Sequence, residues 1–333
     1  MTTAGPASWD PHARTLHRVA LAAAKPAGPS LFAELLREVM ASLGAASGLV
    51  AVFTDETRTR VRTIASILDG RLLAPFEYGL AGSPCEQVTG AEFRHVASGL
   101  ADEFRATSLF AAKGMDSYAA HPLCDSHGEQ LGLLAAMDRG PLADVALAEA
   151  VLKIVGNRIA AELERATTEG VLKTAALAVS SARGATVFAE LVRSLVAILH
   201  VDVAFIARPS ATSGTMDVLA IQLDGAPIPI ARYELAGSPC AGVLDQGFRV
   251  YPDRLCERFP DEPMLRAIGI EGYAGYPLHD LGGATLGLVS ISSRRPLTRL
   301  DRIESVMQVF AVRAAAEIER LRADETLRTS EES

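Results

Sequence analysis

The chain of 333 residues is poor in cysteine, with four, and in aromatic residues, at 5%, with a single tryptophan. Four thiols in a chain this long do not make a disulfide scaffold, so a reduced, cytoplasmic protein is expected. Long apolar runs are missing as well. The stretches 19–24 and 131–137 fall far short of the roughly 18 residues that span a bilayer, so no membrane partner is expected. Basic charge is in deficit, with 32 Lys+Arg against 40 Asp+Glu and a net charge of −8. That balance argues against a nucleic-acid surface, since phosphates need clustered cations. The start, Met1-Thr2-Thr3-Ala4-Gly5-Pro6, has neither a basic head nor an apolar core, so no secretory leader is expected. No phosphate-cradling Gly-x-x-x-x-Gly-Lys-Ser/Thr, zinc-binding His-Glu-x-x-His or nucleophile elbow Gly-x-Ser-x-Gly occurs, and a non-enzyme is expected. What remains, 49% hydrophobic and 22% charged residues, is ordinary globular composition. At roughly 100–200 residues per domain, the length suggests two.

An internal repeat supports two. Tyr78-Gly79-Leu80-Ala81-Gly82-Ser83-Pro84-Cys85-Glu86-Gln87-Val88 returns as Tyr233-Glu234-Leu235-Ala236-Gly237-Ser238-Pro239-Cys240-Ala241-Gly242-Val243, identical at eight of eleven positions with an offset of 155. The same offset carries Pro122-Leu123 onto Pro277-Leu278, Leu131-Gly132-Leu133 onto Leu286-Gly287-Leu288, and Ala160-Ala161-Glu162-Leu163 onto Ala315-Ala316-Glu317-Ile318. Upstream the offset is 156, which sets Phe32-Ala33-Glu34-Leu35 on Phe188-Ala189-Glu190-Leu191. A period this long is a duplicated domain rather than a solenoid unit of roughly 20–50 residues.

Each copy reads alike. An apolar helix comes first, near 16–21 and 172–177, broken by Gly28-Pro29 and by Gly184. A second helix follows, with Phe32, Leu35, Leu36, Val39 and Met40 on one stripe, matched by Phe188, Leu191, Val192, Leu195 and Val196. Strands are predicted at 49–54, 61–68 and 75–80, and at 203–207, 216–223 and 228–235. After irregular stretches at 93–117 and 248–272, two further strands are predicted in each copy, at 118–124 with 130–137 and at 273–279 with 284–291. Long helices over 143–165 and 299–328 close the copies. The fold class is α+β: two domains, each a central antiparallel sheet flanked by helices, joined by a long helix.

With this element order, the Tyr-x-Leu-Ala-Gly-Ser-Pro-Cys-x-x-Val segments, and the strands Tyr118-Ala119-Ala120-His121-Pro122-Leu123 and Tyr273-Ala274-Gly275-Tyr276-Pro277-Leu278, the chain resembles two tandem GAF domains of the kind found in the input regions of bacterial sensor proteins. The resemblance implies a first domain at 14–166, a helical linker at 167–183, a second domain at 184–320 and a signalling-helix tail at 321–333. It also implies a small-molecule pocket in each copy, between one sheet face and the irregular stretch, without naming the ligand or any cofactor. Chromophore-attaching relatives show Cys-His where Cys85 is followed by Glu86. The cyclic-nucleotide signature of the family is not legible in either copy. A free methionine sulfoxide reductase and a ligand-free dimerisation scaffold are the alternatives. The reductase is disfavoured because Cys124 has no cysteine counterpart at His279.

Candidate ligand-binding residues follow. Ser83-Pro84 reads as a helix cap and first-turn proline, with Glu86 completing a capping box. Cys85 and Cys240 then lie at a helix start that favours thiolate, and Cys240, which lacks the opposing glutamate, is the better candidate for a depressed pKa. One reading of both is a ligand-contacting or redox-responsive thiol at a pocket wall, so that the module binds a small molecule or senses redox state; the other is buried packing. Tyr78 and Tyr233, seven residues earlier, could line the same cavity. Tyr118 and Tyr273 are candidates too, as are His121 and Tyr276, but on a regular strand residues three apart face opposite sides. Cys124, His127 and His121 are too few for a structural metal site. Leu300, Met307, Ala314 and Leu321 recur every seven residues, which predicts a coiled-coil seam and a parallel homodimer, and the resemblance to sensor proteins implies a downstream kinase, cyclase or other output.

Overall fold

The computed structural model describes residues 10–55, 57–88, 90, 92–104, 113–142, 144–182, 186–229 and 232–331. Ala143, Gly184, two residues of the expected strand 228–235 and residues 105–112 of the irregular stretch lie outside them. The chain divides into two units, Met1–Ala166 and Thr167–Ser333.

The first unit opens with α1 (Pro11–Ala23), where the Asp10 carboxylate accepts from the Ala13 amide at 2.8 Å and Pro11 supplies the first turn. The second helix, α2 (Leu31–Leu43), follows. Then come β1 (Ser47–Phe53), β2 (Arg60–Leu68), β3 (Arg71–Leu72) and β4 (Glu77–Gly79), a short 3₁₀ helix (Pro84–Val88), β5 (Arg94–Val96), α3 (Leu100–Glu103), β6 (Ser117–Cys124) and β7 (Gln130–Asp138). The sheet order is β3-β2-β1-β7-β6-β5, with β4 also on β2, and every pair is antiparallel. The boundary between the units falls inside α4 (Val145–Ser181).

The second unit repeats the plan. After α5 (Val187–Leu199) come β8 (Val203–Pro209), β9 (Thr215–Leu223), β10 (Ala226–Pro227) and β11 (Arg232–Glu234), then α6 (Ala241–Gln246), β12 (Arg249–Tyr251), α7 (Leu255–Arg258) and α8 (Pro263–Ile268). Strands β13 (Gly272–His279) and β14 (Thr285–Ser293) and helix α9 (Leu300–Glu331) complete it. Its order is β10-β9-β8-β14-β13-β12, with β11 on β9. Bulges recur at matching places, between Val50 and Ala51 and between Ile206 and Ala207. The change of offset from 156 to 155 falls at the first hairpin of each unit, where 210–214 is one residue shorter than 54–59.

The alternation of each strand sorts side chains onto two faces. In the first unit Leu134 and Ala136 join Leu35, Val39, Val151 and Ile159 under the helices, while Leu133, Ala135 and Met137 join Tyr118 and Cys85 on the opposite face. In the second, Val289 and Ile291 pack against Leu191, Met307 and Phe310, whereas Leu288 faces Tyr273 and Cys240. Of the seven-residue seam expected on α9, Met307 and Ala314 are buried in the core of their own unit and Leu300 packs against it, beside the buried Ile303, Phe310 and Ile318. A helix lying on a sheet needs the same apolar stripe as one pairing with another helix, so the spacing alone could not tell them apart.

The Leu-Gly-Leu repeat has a steric cause. A Cβ on Gly132 would stand 2.0 Å from the Ala51 carbonyl oxygen, and one on Gly287 would stand 2.2 Å from that of Ala207. Only glycine lets the last strand of each sheet lie this close to the first. The Ala-Ala-Glu repeat also has a structural role. Arg158 donates to the Ala23 carbonyl at 3.0 Å and to Glu162 at 3.0 Å, and Arg313 donates to the Ala182 carbonyl at 3.2 Å and to Glu317 at 3.0 Å. In each unit the glutamate orients an arginine that caps the C-terminal end of another helical segment.

Candidate functional site

The repeated cysteine segment leaves the sheet at β4 or β11 and turns sharply. The Ser83 amide donates to Leu80 O at 2.8 Å and the Ser238 amide to Leu235 O at 3.2 Å, with Gly82 and Gly237 in the left-handed region at φ 72° and 79°. This turn delivers the sulfur of Cys85 or Cys240 beneath the sheet face opposite the helices, and both cysteines are buried.

Phenols surround each sulfur. Tyr78 donates its hydroxyl to Cys85 Sγ at 3.3 Å and Tyr118 does so at 3.4 Å. In the second unit Tyr273 donates to Cys240 Sγ at 3.3 Å. The Tyr233 hydroxyl is buried and finds no hydrogen-bond partner, while its ring meets Phe205 edge-on at 5.7 Å. Burial pushes both thiols above their ordinary range and outweighs the hydroxyl donors, and burial beside the sulfur raises the phenols too.

The thiolate expectation is corrected accordingly: desolvation overrides the helix end, and Cys240 is not depressed. The capping box is altered as well. Ser83 Oγ is buried without a partner, Glu86 accepts from the Gly82 amide at 2.8 Å, and Ser238 Oγ donates to Leu235 O at 2.7 Å. Six of the eight candidate residues, Tyr78, Cys85, Tyr118, Tyr233, Cys240 and Tyr273, thus gather in two equivalent clusters. His121 and Tyr276 do not join them. Strand alternation turns both to the helix side, where His121 Nδ1 lies 2.7 Å from Pro122 O and Tyr276 packs on Phe248 at 5.8 Å. Partial burial there lowers the His121 pKa. Among the described residues no group of three His, Cys, Asp or Glu is placed to hold a metal ion.

Beside Cys240 the second unit has a partly open cavity of ≈ 110 Å³, lined by Phe205, Ile221, Leu265, Tyr273, Ser292 and Glu262 among others. Larger grooves of ≈ 470 Å³ along β9 and ≈ 510 Å³ along β2 are more polar clefts beneath α5 and α2. They lie away from the cysteines. The cavity residues Phe205, Glu262, Leu265 and Ser292 were not singled out in the sequence. Ser292 carries a legible signal, since the offset of 155 sets it on Met137, whereas Glu262 lies in the irregular stretch and carries none.

Fold and cluster together define an α+β unit with a helix-backed antiparallel sheet whose free face holds a small chamber. The GAF domain family model matches residues 184–318, so the second unit contains a GAF domain, typically a sensory or ligand-binding module. Similar solved structures include the GAF domain of an Acinetobacter phosphoenolpyruvate-protein phosphotransferase, with 12% identity and TM-score 0.39 over 48% of this chain and 97% of that one. A bacteriophytochrome from R. palustris shows 12% identity and TM-score 0.38 over 86% of this chain and 64% of that chain. A GAF domain from A. aeolicus in an inactive state shows 11% identity and TM-score 0.36 over 45% and 93%. No curated protein matches significantly. No helix among the described residues is long and apolar enough to cross a membrane.

Proposed function

We propose that the chain is a cytoplasmic tandem-GAF sensory module, without catalytic activity, that binds a small molecule and relays occupancy through its helices to an output domain or partner. The observation that carries this reading is the chamber beside Cys240, in the segment matched by the GAF model. The first unit is read as a second GAF domain because its strand order, bulges and Tyr-Cys cluster repeat those of the second. Non-catalysis is favoured by sulfurs that are buried and disfavour the nucleophilic thiolate. The same burial favours ligand binding over redox sensing. In this reading α4 links the domains, and a homodimer forms through helical faces that leave Leu177 63% and Val312 68% exposed.

Ligand acts here by shifting an ensemble: whatever binds one arrangement of the helices better will populate it. Native mass spectrometry of freshly purified protein, followed by a thermal-shift screen, tests the reading. A retained or added small molecule should stabilise the fold by about 2.7 kcal/mol at a hundredfold excess over Kd. A chain that retains nothing and responds to no compound is a scaffold, and the sensory reading fails. Light scattering at micromolar concentration tests the dimer; a strict monomer overturns it.

A further inference from the structure

A cluster of cations lies away from the cysteines, where α5 ends, β14 ends and α9 begins. There a partly open groove of ≈ 290 Å³ is lined by His200, Arg295, Arg299 and Arg302, and no carboxylate is among its lining residues. The fold does not call for these cations. The two offsets set them on Gly44, Gly140, Asp144 and Leu147 of the first unit, where the equivalent helix starts at Val145 with no basic residue at any of the four places. Leu147 packs there against the core of its own unit instead.

Elsewhere in the second unit arginines are matched to carboxylates. Arg294 donates to Asp224 at 2.6 Å and to Asp202 at 3.1 Å, and Glu317 accepts from Arg313 at 3.0 Å and from Arg320 at 3.0 Å. Arg302 is treated differently: its half-buried side chain makes no hydrogen bond or ion pair among the described residues. Burial pulls its pKa below the ordinary guanidinium range, the Arg299 guanidinium pulls it further, and the adjacent Asp301 offsets only part of that. A cation drawn out of water beside another cation is costly until an anion joins them. Guanidinium forks pair bidentately with oxyanions. A carboxylate offers two oxygens to one fork, whereas a phosphate monoester presents three and a charge of roughly −1.5 to −2, which lets two guanidiniums hold it at once.

We propose that this groove binds a small phosphate compound, its phosphate between Arg299 and Arg302, with Arg295 and His200 as further donors. Isothermal titration of the full chain at constant ionic strength, with inorganic phosphate, glycerol phosphate and acetate, tests it. At least one of the two phosphates should bind saturably, and acetate at least about tenfold more weakly. Binding of inorganic phosphate alone identifies the free ion as occupant; binding of glycerol phosphate as tightly or more tightly identifies an ester. Arg302→Leu, which brings in the side chain the first unit carries at Leu147, should weaken phosphate binding at least about tenfold, the worth of a charge-assisted hydrogen bond. It should also leave or raise Tm in phosphate-free buffer, because a crowded cation is gone. Arg302→Lys keeps the charge without the fork, so its affinity should fall between the two. The proposal is overturned if neither phosphate binds, if acetate binds as tightly, or if Arg302→Leu binds phosphate like the parent. A fall in its phosphate-free Tm would make Arg302 a packing residue and overturn it too. None of these outcomes touches the Cys240 cavity or the sensory reading that rests on it.

Discussion

Replacing Gly287 by alanine tests the closest approach in the second sheet. The added Cβ would meet Ala207 O at 2.2 Å, with Ala207 C and Arg208 Cα both at 3.2 Å. A carbon normally stops about 3.3 Å from a carbonyl oxygen, so β14 must withdraw from β8 by roughly 1 Å. That shift stretches the neighbouring ladder bonds from about 2.9 Å to beyond the bonding range. Two lost bonds at about 0.5–1.5 kcal/mol each, with the overpacking itself, give a cost of about 3 kcal/mol. For a unit of this size each kcal/mol lowers Tm by roughly 2–4 °C, so the second unit should melt about 6–12 °C earlier in differential scanning calorimetry. Gly242→Ala is the control. It lies in α6, where its Cβ would make ordinary 3.5 Å contact with Tyr251 Oη, so it should leave or raise Tm. A Gly287→Ala protein that melts within roughly 2 °C of the parent would refute the close-approach argument.

Two further outcomes are expected. Under native conditions a thiol reagent such as DTNB should modify the half-buried Cys124 and Cys256 first, and Cys85 and Cys240 only on unfolding; prompt reaction of all four cysteines would show that the clusters are open. Stability measured by urea titration should fall at both pH extremes. Glu162 and Glu317 are held below the ordinary 4.5 by their arginines, so their contribution is present above that pH and lost as pH falls beneath it. The buried thiols stay protonated in the fold past the ordinary 9.0, so stability is lost as pH rises above that value. Glu317→Gln should flatten the acid limb of the second unit, and an unchanged limb would sink this account.

The duplication made most of the fold legible, because each strand could be read twice. Strands 61–68 and 216–223 emerge as Arg60–Leu68 and Thr215–Leu223, and 273–279 as Gly272–His279. The segments Arg71–Leu72, Arg94–Val96 and their counterparts escaped notice, since two or three residues show no period. The hairpin turns Asp69-Gly70 and Asp224-Gly225, with positive φ at both residues of each, were a readable signal not taken up. At the site, Tyr78, Cys85, Tyr118 and their equivalents were found because both copies retain them. Their charge state was misjudged because burial is set by the sheet above, not by the neighbouring residues. His121 and Tyr276 show the value of strand parity, which already separated them from Tyr118 and Tyr273.

The shorter hairpin at 210–214 decides how the two halves can serve as references for each other. A change made up to the end of β1 has its counterpart 156 residues on, and one made from β2 onward 155 residues on. Paired substitutions placed with that slip, Gly132 with Gly287 or Met137 with Ser292, sit in equivalent backbone settings within one molecule. Each half then supplies a matched comparison for the other, at the same concentration and in the same solution.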